Sequence, residues 1–163
     1  MDRLFSFQLV LFSFLLVFIG NDTVFSRETV FVTIEPAKPL TVSKGQTAEL
    51  TVRAQIKKGF HIQANPAADE FLIPTTLTIE TIKGIIPEEP IYPPGIAYRL
   101  KGIEEDLLTY EDEVMIKLPV KVLDSAPTGN ASLTGKLKYQ PCDDRSCFFP
   151  RSVPVVIPIE IVQ

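Results

Sequence analysis

The sequence predicts an all-β protein, specifically an immunoglobulin-like antiparallel β-sandwich. Three observations carry the prediction. Six runs alternate apolar and polar residues with a period of two, which is the pattern of strands with one buried face. Turn signals separate these runs at short spacing, as in sandwiches. Fourteen prolines in 163 residues exceed the usual ~5%, and no segment keeps a 3.6-residue apolar period over three turns. Proline at that density interrupts helices, so a helical bundle is disfavoured.

Residues 1–26 precede the predicted fold. Leu4–Ile19 is an apolar stretch of 16 residues, shorter than the ~20 that a spanning helix needs and close to a signal-peptide core. Arg3 and the amino terminus give it a positive start. Val24 and Ser26 suit a small-residue cleavage rule, which sets the mature start near Arg27. A cleavable export signal is expected. An uncleaved membrane anchor is the alternative, and a buried core helix is the third possibility. Residues 27–163 then form the domain, with 137 residues and a net charge of −3. Such a length buries a substantial core.

The strands follow in order. Thr29–Ile34 (TVFVTI) opens a β-branched run that Pro36 ends. Ala48–Ile56 follows the turn signal Ser43-Lys44-Gly45. Gly59–Gln63 adds a short strand, and Thr75–Ile82 repeats the alternation. Val114–Val122 does so again, with Pro119 hinting at an edge or bulge. Ala131–Tyr139 and Val153–Val162 complete the set. Lys83–Asp112 breaks the pattern. It holds Pro87, Pro90, Pro93, Pro94 and Gly95 and then Glu104-Glu105-Asp106, and it reads as a long irregular loop. Its acidic residues, with Glu111-Asp112-Glu113, read as a solvated face, and a cation or basic-partner site is the sharper alternative.

Composition excludes several function classes. Sixteen Lys+Arg against 20 Asp+Glu argue against nucleic acid, because phosphate binding needs a clustered basic face. One histidine and two cysteines are too few for a closed zinc site or a disulfide-rich scaffold. Any chemistry therefore rests on Cys142 and Cys147, which lie in YQPCDDRSCFFP with four residues between them. If strands flank this segment, the two cysteines flank a tight turn and can close on each other. A bond across so short a loop stabilises little. It suits a redox role, and an inert turn staple is the other reading. Asp143 and Asp144 would raise a nearby thiol's pKa and Arg145 would lower it. Phe148 and Phe149 are candidates either to shield a sulfur and dock a partner or to serve as ordinary core and edge aromatics.

The block Tyr139-Gln140-x-Cys142-Asp143, with Cys147 and Pro150, resembles the N-terminal periplasmic domain of the thiol:disulfide interchange protein DsbD. Tyr110 followed by MIKLPVKV, Lys58-Gly59-Phe60 with His61 to Gln63, and the leading signal support the resemblance, which spans essentially the whole mature chain. It implies an immunoglobulin-like sandwich with a redox pair at one end, acting in the periplasm or cell envelope as a thiol–disulfide oxidoreductase without a cofactor. Electrons would pass from a thioredoxin-like protein or a transmembrane electron-transfer protein to a client disulfide isomerase or a cytochrome-maturation thiol protein. The membrane would be met only through an uncleaved signal anchor.

Residue by residue, the resemblance implies that Cys142 and Cys147 are the redox pair. Cys147 would form the mixed disulfide with partners and Cys142 would resolve it. His61 and Gln63 fall beside the cysteines, and Tyr139, Asp143 and Phe148 are further supporting candidates. A structural histidine is the plainer expectation for His61, with a proton-transfer role as the alternative, and a solvated strand edge is the plainer expectation for Gln63. The chain departs from the family in its four-residue spacing, one fewer than in the best-known members. The family's cap loop carries an Asp-Glu-Phe segment. Here Asp69-Glu70-Phe71 lies too early, and the expected cap region, Tyr98–Asp106, offers Leu100 or Ile103. The transmembrane conduit and the C-terminal thioredoxin-like domain would be separate proteins. Two other functions remain open at this point: an immunoglobulin-like binding or assembly module with an inert disulfide, and a membrane-tethered accessory subunit of a redox complex.

Overall fold

The computed structural model describes residues 29–99, 102 and 105–163. The expected signal at 1–26 lies outside them. Twelve strands run in order: β1 (Val32–Ile34), β2 (Leu40–Ser43), β3 (Thr47–Ile56), β4 (His61–Gln63), β5 (Thr76–Ile79) and β6 (Ile85–Pro87). After these come β7 (Ile96–Tyr98), β8 (Leu107–Glu111), β9 (Glu113–Val122), β10 (Gly129–Tyr139), β11 (Pro141–Cys142) and β12 (Arg151–Val162). Among the described residues no helix is long and apolar enough to cross a membrane.

Two four-stranded sheets form the sandwich. One has the order β1-β3-β9-β6 and the other β2-β12-β10-β5. All pairings are antiparallel except that of β2 with β12. The opening strand is split: β1 pairs β3 in the first sheet, and β2 crosses to the second beyond Pro36 and Pro39. The two orders reproduce the A-B-E-D and G-F-C sheets of the immunoglobulin fold. The domain is therefore an all-β, immunoglobulin-like sandwich, as the alternation predicts.

The long strands form for the reason their pattern suggests. In β3, Leu50, Val52, Ala54 and Ile56 are buried while Thr47, Glu49, Thr51 and Arg53 face water. In β9, Val114, Ile116, Leu118, Val120 and Val122 point inward. Val155, Ile157, Ile159 and Ile161 do the same from β12. Each fully buried side chain of this kind is worth about 1.5–3 kcal/mol. Pro119 sits in β9 between β3 and β6, opposite a break. Its carbonyl accepts from Glu88, and the next pairing is the Ile91–Lys117 bridge. The amide it lacks falls where β6 has already left the ladder.

A third sheet, β11-β4-β8-β7, lies at one end and corrects the reading of Lys83–Asp112 as an irregular loop. That stretch contains β6, β7 and β8. The first two are three-residue strands beside prolines, too short to show a period. In β8, Leu107, Thr109 and Tyr110 are all buried, so no polar alternation remains to be read. β2 and β11 are likewise additions. The runs expected at Thr29–Ile34 and Thr75–Ile82 shorten to β1 and β5.

Candidate redox site

The site grows out of the connection between β10 and β12. These strands pair along their whole length, from Gly129–Ile161 to Tyr139–Arg151. At the open end the chain leaves the sandwich, and β11 pairs with β4 instead: Pro141 stands opposite Ile62 and Cys142 opposite His61. The chain then turns back through Asp143–Ser146. Asp143 Oδ1 accepts the backbone N–H groups of Arg145 and Ser146, each at 2.8 Å. These donors hold the Asp143 carboxyl below the usual carboxylate range. Arg145 is drawn toward Asp144 at 3.8 Å on the exposed surface, a pairing worth at most ~1 kcal/mol.

The turn brings Cys147 back to Cys142, and the two are joined as a disulfide with a Cα–Cα distance of 4.0 Å. The two sulfurs are not equivalent. Cys142 is fully buried, whereas Cys147 is partly exposed. A cleft of about 350 Å³ opens beside Cys147, lined by Gln140, Phe148, Phe149, Pro150 and Arg151.

β4 supplies the side chains beneath the disulfide. Gln63 Nε2 donates to Cys142 Sγ at 3.3 Å and lies 3.6 Å from Cys147 Sγ. Its backbone is fixed by Gln140 O, to which Gln63 N donates, and by Thr75 N and Oγ1, which both donate to Gln63 O. Gln63 is fully buried. This overturns the expectation of a solvated strand edge, because β4 is an interior strand between β11 and β8. His61 is buried too, with its ring 3.9 Å from that of Tyr98, centroid to centroid. Burial pushes its pKa down, against the opposing pull of Glu111 and Asp143. No group among the described residues bonds His61 Nε2 or Gln63 Oε1.

The other candidates stand further back. Phe148 joins Phe31 and Phe60, with ring centroids 5.3 and 6.0 Å away, and its amide donates to Pro141 O. It braces the returning chain from the core side. Phe149 is 87% exposed. Tyr139 is buried at the end of β10, where its hydroxyl meets the Val32 backbone. It serves the core. Phe71, in the early Asp-Glu-Phe segment, is 84% exposed. Leu100 and Ile103 lie outside the described residues.

Three residues near the site went unassigned by sequence reasoning. Gln140 accepts the Ile73 amide through Oε1 and donates to Phe148 O through Nε2, so it ties two loops to the cysteine turn. Its signal was present in the Tyr-Gln-x-Cys block. Thr109, opposite Gln63 in β8, and Tyr98, over His61, lay in the stretch read as irregular.

Fold and site together define an immunoglobulin-like domain with a short-loop disulfide on a side sheet, away from the sandwich core. Residues 28–156 match the family described as "Thiol:disulfide interchange protein DsbD, N-terminal". The chain belongs to that family, which with the bonded cysteine pair supports thiol–disulfide exchange in general. Among solved structures, the chain is similar to the N-terminal periplasmic domain of ScsB from Proteus mirabilis. Identity is 14% and the TM-score 0.46, over 77% of this chain and 44% of that one. It is also similar to AggA, the major subunit of aggregative adherence fimbriae type I from Escherichia coli. There identity is 9% and the TM-score 0.36, over 82% of this chain and 95% of that one. At these values neither likeness bears on function. No curated protein matches the sequence.

Proposed function

We propose that the domain is an exported electron relay of the periplasm or cell envelope, delivered by a signal at residues 1–26. It takes two electrons from a thioredoxin-like or transmembrane reductase partner. It passes them to a client disulfide, in a disulfide isomerase or a cytochrome-maturation thiol protein. The observation that carries this reading is the asymmetry of the pair: Cys142 is buried and Cys147 is partly exposed beside an open cleft. An incoming thiolate reaches Cys147 first.

The steps balance as thiol–disulfide exchange. A partner thiolate attacks Cys147 Sγ, the Cys147–Cys142 bond breaks, and Cys142 leaves as a thiolate. The partner's second thiolate then attacks its own mixed-disulfide sulfur and releases Cys147. The partner leaves oxidised and the domain holds both electrons as a dithiol. Against a client disulfide the order reverses: Cys147 attacks, and Cys142 resolves the mixed disulfide. His61 stands opposite Cys142 across the β11–β4 pair, where burial lowers its pKa and favours the neutral imidazole. Asp143 and Phe148 hold the turn that presents Cys147.

The test is capture. A Cys142→Ala variant cannot resolve, so it should accumulate mixed disulfides through Cys147 in an envelope extract. These should be released by dithiothreitol and identified by mass spectrometry as thioredoxin-like or isomerase proteins. The Cys142→Ala/Cys147→Ala variant should capture none. An empty Cys142→Ala lane would contradict the relay.

A further inference from the structure

We propose that the Gln63 amide is a two-way hydrogen-bond partner of the redox sulfurs that favours the dithiol over the disulfide. This deepens the exchange reading of Cys142 and Cys147 and rests on it, although its equilibrium readout needs no biological partner.

Three observations carry it. The side chain is fully buried and touches both sulfurs through Nε2, at 3.3 Å to Cys142 and 3.6 Å to Cys147. Its other end, Oε1, is buried and has no partner among the described residues. Its backbone is held on both sides, by Gln140 O and by Thr75, so the amide stays where it is aimed.

In the oxidised state the amide can only donate, because a disulfide has no S–H. It donates to weak acceptors and leaves a buried carbonyl unbonded, a costly arrangement. Reduction changes both ends. When a thiolate attacks Cys147 and the S–S bond breaks, the electron pair goes to Cys142 Sγ, the sulfur nearest Nε2. A charge-assisted N–H···S⁻ bond is stronger than the bond it replaces. Once that thiolate takes a proton from solvent, its S–H becomes a donor. A half-turn of the terminal amide then presents Oε1 to it. Gln63 therefore serves the thiolate and the thiol, and serves the disulfide poorly. It also makes Cys142 a better leaving group, because leaving thiols of lower pKa depart faster.

The experiment compares wild type with Gln63→Met, which keeps the bulk and removes the amide, and with Gln63→Glu, which keeps the shape and loses the N–H donors. Each is equilibrated in glutathione redox buffers at pH 7 and read by thiol alkylation and mass. The equilibrium constant for reduction should fall about tenfold in Gln63→Met, which is ~30 mV for a two-electron couple. It should fall at least as far in Gln63→Glu. The rate of attack by dithiothreitol should drop by a similar factor. Folded variants with constants within twofold of wild type would overturn the proposal. The unsubstituted protein gives an independent check: the Gln63 side-chain NH₂ resonances should shift on reduction, and unchanged resonances would overturn it even if neither variant folds. A wild-type pair that glutathione cannot reduce would count against the exchange reading alone. A labile pair indifferent to Gln63 would count against this proposal alone.

Discussion

Reducing the Cys142–Cys147 bond should weaken the domain only slightly. The cysteines are five positions apart, so the bond closes a ring of six residues. The loop-entropy relation then gives about 2 kcal/mol of stabilisation, against nearly 5 for a 100-residue loop. The structure also keeps the bond out of the sandwich. Cys142 lies in β11, which pairs with β4 in the side sheet. The core sheets are held by full-length pairing of β10 with β12 and of β3 with β9. For a domain of this size each kcal/mol moves the Tm by roughly 3–4 °C, so reduction should lower it by about 5–10 °C. Calorimetry of the oxidised domain, the domain in a phosphine reductant, and the Cys142→Ala/Cys147→Ala variant measures this directly. The reduced domain and the variant should melt cooperatively, with nearly the same denaturant slope as the oxidised form. A fall of more than about 20 °C, or unfolding at room temperature on reduction, would mean that the bond is a structural staple. The separation of site from scaffold would then be wrong.

Other predictions test the parts. Burial lowers the His61 pKa in the folded state, so below the ordinary value of 6.5 the unfolded chain binds more protons there. The stability His61 contributes is therefore present above that value and is lost as pH falls through the folded pKa. A His61→Gln variant should lose less stability than wild type between pH 7.5 and 5 in urea unfolding; parallel losses would count against the assignment. Gly135 lies where β10 passes β5. A Cβ there would stand 2.0 Å from the Thr78 carbonyl oxygen, so Gly135→Ala should cost at least about 1–3 kcal/mol in urea unfolding, and a neutral substitution would refute the close approach. Ile62, the fully buried centre of β4, should cost about 2–5 kcal/mol as Ile62→Ala, and a smaller loss would show that β4 is loosely seated.

What the sequence made legible follows from burial geometry. Strands with one wet face, β3, β9, β10 and β12, announce themselves by alternation, and their predicted bounds fall within two residues of the observed ones. The side sheet was hidden because its inner strands have no wet face. His61, Ile62 and Gln63 are all buried, and so are Leu107, Thr109 and Tyr110. β6 and β7, three residues each, are too short to carry a period. The same cause explains the site. The cysteines could be found from their scarcity and spacing. Gln63 looked like an edge residue because nothing local marks β4 as flanked on both sides by β11 and β8. Those partners come from 81 and 46 positions further along the chain, where Cys142 and Thr109 meet His61 and Gln63 across the ladder. Long-range pairing of that kind leaves no trace in a local window. The roles of Tyr98 and Gln140 became visible only when the fold placed them against His61 and the cysteine turn.

The central claim is that Cys142 and Cys147 form an exchanging pair. Its most direct test is the reduction potential of the purified domain, measured by equilibration with glutathione and with thioredoxin-like dithiols. A potential above about −300 mV is predicted, in the range of labile and catalytic disulfides. A value below it would mark the bond as structural, and would leave an immunoglobulin-like binding module with an inert disulfide as the better reading.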